Sequence, residues 1–364
     1  MIRLIEPYIT FEEVQAELKE IFSSGMLTKG PYVRTFADHM RQYVSAKHAF
    51  LTTSATTALS MCLKSLNVQP GDEVIVSDFS FPATVNVIED LGAKPVFADV
   101  DLETFNMLPE ELESQITSRT KAVLFVDALG NPTGITNIKQ ICKEYGLPLV
   151  DDAACAIGSS EYGCKSGKIA DLTCFSFHPR KLLTTGEGGA ITTDREELKD
   201  WLSVKLNHGA AISDGKLDFI DFGYNYRLSD IQAALGIKQL QKLDDIIHRR
   251  NLQQKAYSEQ LEPLGFQSQQ IGPNVVHNIQ SAVFKVPKNI VRDELIQYLS
   301  DCHIESTFGT YCLSGTTYYR RKYQQLKSNS LFLEQHTITL PCHDEVDLDH
   351  VVSAIQSFIK FKVD

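Results

Sequence analysis

TCFSFHPRKLLTTGEGGAITT, residues 173–193, sets a lysine between two strand-like runs: an apolar run ends at Phe177, Lys181 follows, and a Thr/Gly turn leads into a second run. A lone lysine is usually a solvated surface group. To attack a carbonyl near neutral pH it must be partly desolvated or lie near positive charge, so that some of it is free amine. What Lys181 can do therefore depends on what the rest of the chain brings to it.

Working outward, LTCFSF (172–177) and GAITT (189–193) are the last of seven short apolar or β-rich runs, after HAFLTT (48–53), EVIVS (73–77), KPVFAD (94–99), KAVLFVD (121–127) and LPLVDD (147–152). Stretches with helical spacing lie between several of them: TTALSMCLKSL (56–66), FPATVNVIEDLG (81–92) and TNIKQICKEYG (136–146). Alternating strand and helix predict an α/β fold with a mostly parallel sheet covered on both faces. A helix over 11–24 and a Gly/Pro loop over 25–33 precede this pattern. One long helix, N-capped by Ser229, is expected from 228 to about 261. Beyond it come an isolated strand (281–287), a helix (291–302), a Tyr-rich loop and an amphipathic helix (347–361), which suit a smaller α+β unit. A length of 364 residues exceeds one average domain. The expected division is a large α/β domain over 1–245 and a small C-terminal α+β domain over 246–364.

Two other segments supply partners for Lys181. LPLVDDAACAIGSS (147–160) ends a buried-type strand in two carboxylates, placed where α/β sheets bind ligands. Strand alternation sends Asp151 and Asp152 to opposite faces, and spacing does not choose between them. LTTSATTALSMCLKSL (51–66) is a strand entering a small-residue turn that opens a helix, whose free N–H groups and dipole suit an anion. GxxxxGK[ST] is missing, and no GxGxxG follows a predicted strand, which argues against P-loop and dinucleotide folds. Pyridoxal 5'-phosphate needs these three parts: an amine for its aldehyde, a carboxylate beside its ring nitrogen and a phosphate turn.

The formal charge of −11 and the lack of a basic run argue against nucleic-acid binding. The eight cysteines form no CxxC pair or zinc-spaced cluster, so no metal site is expected and the thiols read as reduced. MIRLIEPYITFEEVQAELKE (1–20) has neither a signal-peptide pattern nor a spanning run. A cytoplasmic enzyme without membrane attachment is the expectation.

The blocks SATTAL, GDEVIVSDFSFPATVN, GAKPVFADVD, LGNPTGI, VDDAACAIGSS, FSFHPRKLLTTGEGGAITT and FGYNYRLSDIQAALGIKQLQKLD stand in the order of the signature blocks of the DegT family of nucleotide-sugar aminotransferases. The resemblance runs from about residue 8 to 360 and implies fold type I of the pyridoxal-phosphate transferases. It implies that Lys181 forms the internal aldimine and that Asp152 pairs with the pyridine nitrogen. Ser176 and the Ala55–Thr56 turn would bind the phosphate, and Phe81 would stack on the cofactor. Asn225 would serve a phosphate in the neighbouring subunit, which implies a homodimer with shared active sites. Lys29 and Arg227 are candidates for substrate anions. The implied reaction aminates a nucleotide-linked 3- or 4-keto deoxy sugar with L-glutamate as donor.

Two positions depart from the family pattern. Cys155 stands where Gln or His usually lies near the cofactor's ring hydroxyl, and Ser314 stands where many relatives have a histidine in the substrate region. The rival readings are a related sugar dehydratase, which has His in place of the lysine, and a regulatory protein on the same fold. Lys181 opposes the first, and the acidic balance disfavours a DNA-binding form of the second.

Overall fold

The computed structural model describes the backbone of residues 1–363 and the side chains of residues 1–360. The seven runs form one sheet. In spatial order its strands are His48–Thr52, Gly189–Thr193, Leu172–Ser176, Leu149–Asp152, Thr120–Val126, Glu73–Ser77 and Lys94–Ala98. From Leu172–Ser176 onward neighbours are parallel, and only Gly189–Thr193 runs antiparallel to both its neighbours. Parallel pairs require long crossovers, here helices such as Ala83–Asp90 and Ile135–Glu144. The antiparallel pair can be joined by a loop, and the loop that joins it carries Lys181.

Both faces of the sheet are buried, which explains its continuous apolar runs. Val74, Val76, Leu124, Val150 and Leu172 pack with Ala58, Leu59, Met61 and Leu63 of the Ala55–Ser65 helix. Ile75, Val123, Phe125 and Leu149 face the other way, onto Ile135, Ile138 and Ile141. Because His48–Thr52 is antiparallel to Gly189–Thr193, it runs with the parallel strands. Thr52, Ser77, Val126, Asp152 and Ser176 therefore all end at one edge of the sheet. In open α/β sheets this carboxyl edge is where ligands bind.

Four expectations need correction. The Tyr-rich loop contains a helix, Thr317–Tyr323. A helix, Pro31–Val44, follows the Gly/Pro loop. Pro31 opens it, and Asp230 caps it from far along the chain, accepting the amides of Gly30 (2.7 Å), Tyr32 (2.9 Å) and Val33 (3.3 Å). The long helix is two, Asp230–Gln241 and Leu243–Leu261, broken at Lys242, where φ is −113° and ψ is 10°. Ser229 caps the first of them as expected, accepting from the Gln232 amide. The strand expected to be isolated, Ala282–Lys285, is the centre of a three-stranded antiparallel sheet between Gln267–Ser268 and Thr337–Leu340. Its neighbours, two and four residues long, were too short to stand out in the sequence. Helices Arg292–Asp301 and Leu348–Val363 bury Leu295, Leu299, Val351 and Ile355 against this sheet.

Candidate active site

Asp152 ends its strand nearly buried, at 5% exposure. Its Oδ2 accepts from the Thr84 hydroxyl at 2.7 Å, and Oδ1 accepts from the Ala154 amide at 3.2 Å. Thr84 is in turn within 2.8 Å of the Ser80 hydroxyl, so the segment that carries Phe81 is tied to this carboxylate. Burial raises the Asp152 pKa above the usual carboxylate value, and the bonds from Thr84 and Ala154 and the charge on Lys181 oppose that rise. A buried anion with so little countercharge suits a cationic ring nitrogen.

Asp151 points to the opposite face. It is fully buried, and neither of its oxygens has a hydrogen-bond partner of normal geometry. Burial, Asp127 and Asp152 all push its pKa well up. Asp127, also buried, accepts from Ser166 at 2.7 Å, and burial is the main cause of a pKa of about 7. The two carboxylates left open by spacing thus have different surroundings, and only Asp152 is on the side of Lys181.

Lys181 Nζ donates to Cys155 Sγ at 2.9 Å. One segment, residues 278–280, holds both loops. The Asn278 amide group donates to the carbonyls of Cys155 (2.8 Å) and Ile157 (2.9 Å). Gln280 straddles the lysine, donating to the Arg180 carbonyl (2.8 Å) and accepting from the Leu182 amide (2.9 Å). Buried Arg250 secures this segment through the carbonyls of Ile279 (2.6 Å) and Gln280 (3.1 Å). Asn278, Gln280, Thr84 and Arg250 escaped the sequence reading, because each acts through a contact 29 to 123 residues away.

The anion end is joined to this cluster by strand register. Ser176 pairs with Gly189, and a side chain at Gly189 would lie 2.6–2.7 Å from the backbone of Ser54 and Ala55. Glycine alone allows this approach. Ser54 caps the Ala55–Ser65 helix by accepting the Thr57 amide at 3.1 Å. Among the described residues the amides of Ala55 and Thr56 have no acceptor, as expected at a helix N-terminus. Ser176 Oγ accepts weakly from the His178 amide at 3.4 Å, and its proton is unclaimed. Two amides and a hydroxyl are therefore free for a phosphate, so amine, carboxylate and anion donors all fit pyridoxal phosphate.

The other predicted residues are placed as follows. Phe81 is 64% exposed, with its ring edge-on to Tyr311 at 6.2 Å. His178 is half-exposed, its Nδ1 accepts from the Arg180 amide at 3.2 Å, and burial lowers its pKa. Asn225 is exposed and bridges Asn207. Next to it, the Tyr224 ring lies under Lys64, at the far end of the helix that begins at Ala55. Arg227 donates to the Asn207 side chain at 2.8 Å, and Lys29 is exposed. Within one chain, Asn225, Arg227 and Lys29 form no hydrogen bond with the Lys181 cluster among the described residues. Ser314 is buried and consumed: its amide and hydroxyl each donate to Asp78 at 2.7 Å, and its hydroxyl accepts from the Lys327 amide. It pins a loop.

Among the described residues no helix is long and apolar enough to cross a membrane, and no group of three or more His, Cys, Asp or Glu is placed to hold a metal. The model of the DegT/DnrJ/EryC1/StrS aminotransferase family matches residues 9–358. The spore coat polysaccharide biosynthesis protein SpsC of Bacillus subtilis is 34% identical, over 97% of this chain and 96% of that protein. The crystal structure of the aminotransferase TlmJ from Streptoalloteichus hindustanus superposes with a TM-score of 0.93 at 26% identity over all of both chains. The PLP form of the putative sugar aminotransferase Spr1654 from Streptococcus pneumoniae gives 0.91 at 28% identity, over 99% of this chain and 98% of that one.

Proposed function

Because the chain belongs to the DegT/DnrJ/EryC1/StrS aminotransferase family, we propose that it uses pyridoxal 5'-phosphate to move an amino group from L-glutamate to a nucleotide-linked 3- or 4-keto deoxy sugar. The observation that carries this reading is the meeting of Lys181, Asp152, Ser176 and the Ala55–Thr56 amides at one edge of the sheet. Bound there, the cofactor supplies an aldehyde and a ring that withdraws electrons from the carbon losing its proton.

The protein's residues do the rest. Lys181 would hold the cofactor through Nζ, and its amine would take the proton from the amino donor's α-carbon as general base. Asp152, held by Thr84, would keep the ring nitrogen protonated. Ala55, Thr56 and Ser176 would hold the phosphate, Phe81 would stack on the ring, and Cys155 would meet the ring hydroxyl. Lys29 and Arg227 are candidates for substrate anions. Residues 1–245 form the cofactor-binding domain and 246–364 the smaller domain of a cytoplasmic enzyme.

Asn225 completes the phosphate site of a second copy, so the working unit is a homodimer. An apolar hairpin supports this. Strands Ala210–Ser213 and Lys216–Phe219, with the residues after them, leave Ile212, Leu217, Phe219, Ile220 and Phe222 59–72% exposed in the segment that leads to Asn225.

The test incubates the holoenzyme with glutamate and a panel of 3- and 4-keto nucleotide sugars, and follows 2-oxoglutarate and amino sugar by mass spectrometry. Matched formation of both with at least one sugar supports the reading. Cofactor binding with no product from any sugar would count against it.

A further inference from the structure

Cys155 and Lys181 are in direct contact, with Nζ 2.9 Å from Sγ. The contact is built into the fold, since Asn278 holds the Cys155 carbonyl while Gln280 bonds the residues on both sides of Lys181. These bonds fix the backbones that carry the two side chains, so sulfur and amine are held within reach of each other. Both are also only half-buried, whereas Cys62, Cys142, Cys174, Cys312 and Cys342 are buried. A small oxidant can therefore reach this sulfur with an amine already beside it.

We propose that Cys155 and Lys181 form an oxidative modification site, at which a hydroperoxide joins Sγ to Nζ and withdraws the lysine from use. The sulfur first attacks one peroxide oxygen: the O–O bond breaks, the sulfur is oxidised by two electrons to a sulfenic acid, and water leaves when hydrogen peroxide is the oxidant. The Nζ lone pair then attacks the sulfur, the S–OH bond breaks, and the hydroxyl leaves as water with a proton from nitrogen. The sum is one thiol, one amine and one peroxide giving an S–N bond and two waters. A dithiol reverses it: one thiol attacks the sulfur, the S–N bond breaks and the amine leaves with the thiol's proton, and the second thiol then releases Cys155 as the reductant closes to its disulfide. This exchange of one nucleophile for another at sulfur follows ordinary thiol–disulfide chemistry. The consequence for activity rests on the proposed role of Lys181, while the bond itself does not.

The experiment treats the full chain with hydrogen peroxide, both as holoenzyme and after removal of the cofactor, and maps tryptic peptides by mass spectrometry. The expected product joins the Cys155 peptide to the Lys181 peptide with loss of two hydrogens and blocked cleavage after Lys181. It is absent from Cys155→Ser and reversed by dithiothreitol. Crosslinking several-fold slower in the holoenzyme, with activity lost in proportion to the crosslink, is the full expected pattern. Equal rates in the two forms would sustain the crosslink and count instead against cofactor attachment at Lys181. Oxidation of Cys155 to its sulfinic acid, or to a link that retains oxygen, with no S–N product would overturn the proposal. So would peroxide treatment that leaves both residues unmodified.

Discussion

At the scale of single residues, Asp152 is the carboxylate whose state matters most, and Thr84 governs it. Thr84→Val removes the hydroxyl from Oδ2 and leaves a buried oxygen without a donor, at a cost of about 1–3 kcal/mol. The expected outcome is a drop of roughly tenfold or more in kcat/KM, with a shifted pH dependence of the bound cofactor's visible absorbance. Thr84→Ser, which keeps the hydroxyl, restores both. Impairment of the Ser and Val variants to the same degree would show that Thr84 acts through packing alone.

Asp127 makes a different prediction. Its folded pKa of about 7 lies above its unfolded value because burial disfavours the anion. The native state therefore holds the extra proton, and stability falls as pH rises from about 4 through about 7. Asp127→Asn, which needs no proton to be neutral, should leave urea stability near pH 4 unchanged and raise it at pH 8 by a few kcal/mol. Equal effects at both pH values would contradict this. Asp127 also marks a limit of sequence reading. The VDD of 150–152 announced a site, but the burial of Asp127 beside Asp151 depends on which strands are neighbours.

At the scale of elements, all seven main strands were legible, because both-face burial writes itself as unbroken apolar runs. Their spatial order was not, since the insertion of Gly189–Thr193 between His48–Thr52 and Leu172–Ser176 is a matter of pairing. The Pro31–Val44 helix was missed although Phe36, Met40 and Val44 recur every four residues. Its cap comes from Asp230, which has no local signal. The same two helices meet at Gly236, where a Cβ would lie 2.3–2.8 Å from the Phe36 ring. Gly236→Ala should destabilise by about 1–3 kcal/mol, despite a gain of up to about 1 kcal/mol in helix propensity. Adding Phe36→Leu should recover part of that loss. Urea unfolding of the two single variants and the double variant tests the coupling, and strict additivity would sink it.

At the scale of the whole molecule, the amine, carboxylate and phosphate donors were each readable as a motif. Their meeting followed from a sheet whose strands end together. The positioning contacts from residues 278–280 were not readable, because they join a polar segment near the C-terminal sheet to loops over 90 residues earlier. If Asn225 serves the partner's site, Lys181→Ala and Asn225→Ala subunits should complement. Each homodimer would be nearly inactive, and an equal mixture after subunit exchange would recover about a quarter of the wild-type rate. Half of randomly assorted dimers are mixed, and each mixed dimer has one intact site. No recovery despite demonstrated exchange would place Asn225 outside a shared site.

The central claim is that Lys181 holds the cofactor. It is tested most directly by reducing the holoenzyme with borohydride and sequencing its peptides by mass spectrometry. A pyridoxyl group on Nζ of Lys181, with loss of the visible absorption band, is the predicted result. A pyridoxyl group on another lysine, or a Lys181→Ala protein that still traps the cofactor covalently, would contradict it.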